Sequence, residues 1–393
     1  MGFWNGRVTF TRYRVSGERP VPFGEEIIEK ARGRLIGHNA APDSADNVGT
    51  GWAGGEHVLD LVIDEAKNIV DDALHLSIRI DTNKIPAALL RAYTQIEIDA
   101  AAQLNPSGVA TKSQRQEAKE AAQQRAEAEA ADGRFRRLSH VPVLWDGRTN
   151  TLYAGSTSTN VLERLQGLFR DTFDRTLEPL TAGNLAATLT SGGDDEPGHP
   201  ASNLDAGRLS IAGDGDGTDT AFAWSEDSPS ALDYLGNEFM VWIWHTLQND
   251  GDTIQLADGS EVAVMLNKTL TLDCPRGEMG RDHLTDDAPI RLPEAFRALQ
   301  AGKLPRKAGM ILLRHGAQYE LTLQAETLAV SGAGLPKAEE RPSSPHEARI
   351  ARLVSLRHLA ETLDLLFETY LNRRTSSGWT KELVRIRQWL QAA

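Results

Sequence analysis

Three cations, Lys112, Arg115 and Lys119, stand at i, i+3 and i+7 in a long segment of Ala, Gln and Glu. On an α-helix they fall within about 60° of one another. Gln116 and Gln123 share that face, and Glu117 lies away from it. The segment runs into Arg134-Phe135-Arg136-Arg137, where Phe135 is the one large apolar residue among charged and small neighbours. A row of ammonium and guanidinium groups beside an arginine turn can follow a phosphate backbone, and an exposed Phe can stack on a base or on a partner chain. The same pattern also fits a solvated helix whose Phe packs locally. Lys112, Arg115, Lys119, Arg134, Arg136 and Arg137 are therefore the candidate DNA contacts, and Phe135 the candidate dimer or DNA contact.

Other chemistries find little support. There is no P-loop, no Rossmann glycine fingerprint and no Gly-x-Ser-x-Gly elbow. The ten histidines are scattered without a His-x-x-His pair. His38 and His57 flank a loop and read as surface residues. Cys274, the single cysteine, precedes Pro275-Arg276, but a catalytic thiol also needs a positioned base. The run Asp214-Gly215-Asp216-Gly217-Thr218-Asp219 invites a calcium reading. An EF-hand loop needs Gly at its sixth position and Glu at its twelfth, where this chain has Asp219 and Ser225. No catalytic residue, metal ligand or cofactor is assigned.

The elements that must carry the candidate residues come from a chain of 393 residues, 40% apolar and 25% charged, which is globular composition. One cysteine excludes an internal disulfide and a cysteine zinc cluster. No apolar run approaches the ~20 residues of a membrane span. Met1–Gly6 lacks the profile of a secretory signal, so a reducing, cytoplasmic compartment is expected. The net charge of −13 is unevenly distributed. Ser191–Asp287 carries 20 acids and 4 bases, and the remainder is slightly basic. Such asymmetry can build an electrostatic footprint, or the acidic block can be a solubilising loop.

Alternation predicts strands at Arg7–Val15, Val58–Ile63, Ala73–Ile80, Arg134–Trp145, Thr151–Gly155 and Thr176–Leu180. Helical spacing predicts Gly24–Ile36, a helix beginning at Pro86, Thr111–Ala131 with a Thr111–Gln114 capping box, and Thr159–Phe173. Gly37–Gly55 reads as a loop and Gly183–Asp233 as an insertion or mobile loop. Beyond it the spacing predicts a buried helix at Asn237–Leu247, a hairpin at Thr253–Leu256 and Glu261–Leu272, and a helix at Leu292–Ala301. An antiparallel pair at Ala308–Leu313 and Tyr319–Val330, a linker at Lys337–Pro345 and helices at His346–Tyr370 and about 380–390 complete the chain. The class is α+β: antiparallel sheets with helices packed on them and a long projecting helix. The expected regions are 1–182, an acidic insertion at 183–235, a second α+β region at 236–336 and a helical segment at 346–393.

The order of these pieces resembles the recombination-associated protein RdgC family. Phe3-Trp4-Asn5-Gly6 before a strand ending in Tyr13-Arg14, then Gly51-Trp52 and Ile85-Pro86 ahead of the long helices, follow the family order. Phe135-Arg136-Arg137-Leu138-Ser139 resembles its Phe-x-Arg-Phe-Ser. Trp145-Asp146, a hairpin, Ser156-Thr157-Ser158, a leucine-rich helix and Leu177-Glu178-Pro179-Leu180 come next. Leu292–Leu304 followed by Ala308–Leu328 resembles the family's helix, Gly-Lys and strand pair.

The resemblance implies a ring-shaped homodimer around double-stranded DNA without sequence preference, nucleoid-associated and restraining RecA-driven strand exchange. It implies neither catalysis nor a cofactor. The chain departs from the family by the surplus at Gly183–Asp233, and the gate segment near Pro275-Arg276 does not align. Two alternatives stay open: a metal-dependent nuclease whose acidic loop holds the ion, and an acidic interaction scaffold that binds no DNA.

Overall fold

The computed structural model describes residues 2–19, 22–37, 48–190, 232–274, 280–337 and 342–392. Its first part contains β1 (Val8–Val15), α1 (Glu25–Arg32), β2 (Val48–Ala53), α2 (Glu65–Asn68), β3 (Ile69–Val70) and β4 (Ala73–Asn83). Two long helices follow, α3 (Ala87–Gln103) and α4 (Lys112–Ala131). After them come β5 (Arg136–Asp146), β6 (Thr151–Ala154), α5 (Thr159–Phe173), β7 (Leu177–Pro179) and α6 (Ala182–Thr190). The second part contains α7 (Tyr234–Asn249), β8 (Thr253–Gln255), β9 (Glu261–Asp273), β10 (Asp282–Asp286) and α8 (Pro293–Gln300). It continues with β11 (Leu304–Arg314), β12 (Ala317–Gln324), β13 (Val330–Gly334), α9 (Pro345–Thr375) and α10 (Trp379–Ala392).

The fold is α+β, with antiparallel strands in the order β10-β9-β11-β12-β13-β1-β6-β5-β4-β2. β1 joins the two sectors. Val8 and Phe10 pair with β13, whereas Thr11–Arg14 pair with β6. Its two faces serve different cores, as period-2 alternation requires. Val8 and Phe10 enter the larger core with α7, β9, β11 and α9, and Tyr13 and Val15 enter a smaller one with Trp52, Trp145, Phe169 and Phe173.

Helix α9 fastens the two sectors. Its Leu353, Leu359, Leu366 and Phe367 lie in the larger core, and its arginines and acids reach the first sector. The Arg12 guanidinium, 3% exposed, makes a two-pronged pair with Asp364 at 2.8 and 2.7 Å. Arg357 donates to both oxygens of the fully buried Asp146 and to Asp71. Arg352 donates to the carbonyls of Phe3 and Gly6.

Several expectations need correction. Residues 58–63 are not a strand. The buried Asp60 carboxylate accepts from the Glu56 and Val62 amides and from Lys67, and such side-chain capture of amides replaces a ladder. Leu59 and Val62 are left exposed. Helix α1 stops at Arg32, because Arg34–Ile36 run beside Trp52 and exchange backbone hydrogen bonds with it. The stretch read as a loop at Gly37–Gly55 ends in β2, which covers β4. A Cβ on Gly51 would stand 2.6 Å from the Ile36 backbone, so this close crossing needs glycine.

The expected insertion opens with a helix, α6, because Leu185 and Ala186 find places in the larger core. Its flanks meet where the Gly183 amide donates to the Asp233 carboxylate at 3.0 Å. The second strand of the late pair divides at a turn with Leu328 at φ +49°, and β13 returns to β12 and β1. β10 went unrecognised because Asp282 and Asp286 disguise its pairing with β9.

Candidate nucleic-acid interface

β4 and β5 pair without a break from Ala73↔Asp146 to Asn83↔Arg136. Everything from Lys84 to Phe135 is thus one excursion from the end of this ladder. It is an arm of two antiparallel helices that pack on each other and on little else. The sequence explains the geometry. Ala118, Ala122, Ala126 and Ala130 recur every four residues and are the buried positions of α4. Small side chains let the axes approach closely, so Tyr93, with Leu89, Leu90 and Ile85, suffices to fill the contact. Thr111 and Gln114 form the expected capping box, and Gln114 also bonds Asn105 in the turn, which fixes the apex.

Lys112, Arg115 and Lys119 occupy the half of α4 nearest the apex. All three are exposed, and among the described residues none has an ion-pair partner. The first turn of α4 contains no acidic residue. Acids are the stabilising choice there because the helix dipole is positive at that end, so Lys112 and Arg115 oppose local stability and concentrate positive potential. Three of the four glutamates of α4 are turned onto neighbours on their own helix: Glu117 accepts from Ser113, Glu120 from Gln116 and Glu127 from Gln123. Lys119 also borders an open groove of about 830 Å³ that Leu90 and Thr94 of α3 line with Gln123 of α4.

The other four candidates lie at the root of the arm, about 30 Å from Lys112 by the rise of a helix of 20 residues. They do not form one patch with the apical cations. Arg134 pairs with Glu129 at 3.0 Å. Glu129 also accepts from the Tyr93 hydroxyl at 2.9 Å, and Arg125 covers the Tyr93 ring at 4.1 Å. The Tyr93 hydroxyl, and then Arg134, hold the Glu129 carboxyl below the usual carboxylate range. Arg136 pairs with Asp81 at 2.7 Å, and Asp81 is held by Nε and Nη2 of the buried Arg79 at 2.7 and 2.8 Å. Arg134 and Arg136 therefore serve the arm's attachment, although each keeps an exposed side. Arg137 is exposed without an ion-pair partner among the described residues.

Phe135 sits half-buried in the turn between α4 and β5, not at a projecting tip. The apolar side chains at the apex are instead Leu104, 83% exposed, and Val109, 55% exposed. Sequence reasoning passed over both, since they flank the Asn105–Gly108 stretch, whose Asn, Pro, Ser and Gly mark only a break between helices. The buried Arg79 and Asp81 were also missed, because Arg79 looks like an ordinary outward position of the strand expected at Ala73–Ile80 and Asp81 falls just past its end.

The acidic loop with Asp214–Asp219, and Pro275-Arg276, lie outside the described residues. Cys274 is a free, buried thiol. No helix among the described residues is long and apolar enough to cross a membrane. No family model and no curated protein matches the chain.

Proposed function

We propose that the chain is a non-catalytic protein that binds double-stranded DNA without sequence preference through the α3–α4 arm. The observation that carries this reading is the row Lys112, Arg115 and Lys119, exposed and, among the described residues, without ion-pair partners, on the apical half of a helix that packs mainly on its partner helix. A helix stability rule is broken there without a compensating internal contact, which is the pattern of a functional surface. The arm's length of about 30 Å is close to one turn of duplex, whose phosphates present a negative charge every ~1.7 Å of axis. Lysine and arginine on such a span attract phosphates and read no base edge, so affinity without sequence preference is the expected result.

The homodimer, its closure into a ring around DNA, nucleoid association and restraint of RecA-type strand exchange come from the resemblance to the RdgC family. Together they extend the proposal from binding to recombination. The test is fluorescence anisotropy with two labelled duplexes of equal length and unrelated sequence. Equal affinities that fall together as salt rises support the reading. Absence of binding at low salt, or strong preference for one duplex, refutes it.

A further inference from the structure

Where the C-terminal end of α7 meets α10, His245, Asp250 and Glu382 converge. Each offers one potential ligand atom, and these atoms all lie within 4.8 Å of one another. His245 is 1% exposed, and its Nδ1 has no hydrogen-bond partner. The Oε1 of Glu382 is also buried without a partner. Buried polar atoms nearly always find partners, so two orphans in one cluster mark a missing one. A species that accepts lone pairs from an imidazole and two carboxylates together is a cation.

We propose that His245, Asp250 and Glu382 form a binding site for a divalent transition metal of the zinc class. The mixed imidazole and carboxylate set suits zinc better than magnesium or calcium, which favour oxygen alone. Tetrahedral zinc at about 2.0–2.1 Å from each ligand would draw the three atoms to about 3.4 Å apart, a modest contraction. The fourth position falls to water.

Arg385 now occupies the charged side of the cluster. It pairs with Asp250 at 2.8 Å and approaches Glu382 at 3.7 Å, and it is itself about half exposed. The guanidinium is thus the resident counter-cation, which an incoming ion must displace toward solvent. The Trp389 ring meets His245 edge to face, 5.4 Å between centroids. A bound ion would tie α10 to the end of α7 by coordination, in addition to the packing, the Arg385–Asp250 ion pair and the hydrogen bond that the Trp389 indole donates to Gln248.

The test is isothermal titration calorimetry of the full, tag-free, chelator-treated chain with zinc chloride, and with magnesium chloride as the oxygen-seeking control. The expected result is one zinc per chain and no comparable magnesium heat. Arg385→Gln removes the competitor and tightens zinc binding. Asp250→Asn and Glu382→Gln, conservative changes outside the fully buried core, weaken it by about tenfold or more. No stoichiometric zinc binding by either the wild type or Arg385→Gln would overturn the proposal. So would wild-type zinc affinity in either Asp250→Asn or Glu382→Gln, or equal binding of magnesium.

Discussion

Replacing Lys112, Arg115 and Lys119 together by Ala tests the electrostatic account quantitatively. Binding to duplex DNA releases counterions, and the slope of log K against log salt is about −0.9 for each phosphate neutralised. Lys112, Arg115, Lys119 and Arg137 are the unpaired cations among the candidate contacts. If all four reach phosphates, the slope is about −3.6 for each chain, and affinity falls about 150-fold between 50 and 200 mM salt. The triple variant retains only Arg137 of this set. Its slope drops to about −0.9, and the same change in salt weakens binding only about 3.5-fold. The substituted positions are exposed, and Ala is the best helix former, so the arm and the thermal melt are preserved. The assay is anisotropy of a labelled duplex across a salt series. A variant slope equal to that of the wild type would refute the assignment of these side chains to phosphates.

Further outcomes follow from the frame that holds the arm. Replacing residues 84–135 by an Asn-Gly turn closes β4 and β5 directly at Asn83↔Arg136; circular dichroism should report a folded core, and anisotropy a loss of DNA binding. Arg357→Ala leaves the fully buried Asp146 and its neighbour Asp71 without their shared cation, and should lower stability by about 3–5 kcal/mol in urea unfolding. Asp81→Ala strands the buried Arg79 with a similar loss, whereas Arg136→Ala, at an exposed position, should cost no more than about 1 kcal/mol. Burial, helped by the charges of Arg349 and Lys67, pushes the His75 imidazole down to about 3 from 6.5, and the Trp4 indole donates to its Nδ1. The unfolded chain takes up this proton below pH 6.5 and the native chain does not, so this site lowers stability by about 1.4 kcal/mol for each pH unit of acidification toward pH 3. Urea unfolding at stepped pH should therefore show a shallower acid loss in His75→Gln than in the wild type.

The elements most legible in the sequence are those whose local pattern and tertiary role agree. Residues 73–80 alternate because Leu74, Leu76, Ile78 and Ile80 of β4 enter the smaller core, and Thr111 with Gln114 forms the capping box its spacing announces. The alanine-rich run of α4 left open a helix projecting into solvent or one packing only by its alanines, and the buried positions of α4 are alanines. What stayed hidden depends on partners distant in the chain. Arg136 read as a free cation because its acceptor, Asp81, lies far back along the chain, and Arg134 because periodicity does not disclose the turn after α4 that folds it back onto Glu129. Phe135 read as an exposed contact residue because the direction of the arm is decided by the β4–β5 register, which puts residues 104–111 at the apex. His245 and Glu382 passed as unrelated residues, since only the packing of α10 on α7 brings them together. The Asp60 loop looked like a strand because its apolar residues alternate, and the captured amides that break the ladder are invisible to periodicity.

The claim that matters most is physical contact between the apical half of α4 and a duplex. Lysine acylation followed by peptide mass spectrometry, with and without saturating double-stranded DNA, measures it directly. Lys112 and Lys119 should lose reactivity when DNA is bound, while Lys381 on α10 stays reactive. Equal modification of Lys112 and Lys119 in the free and DNA-bound protein would contradict the account.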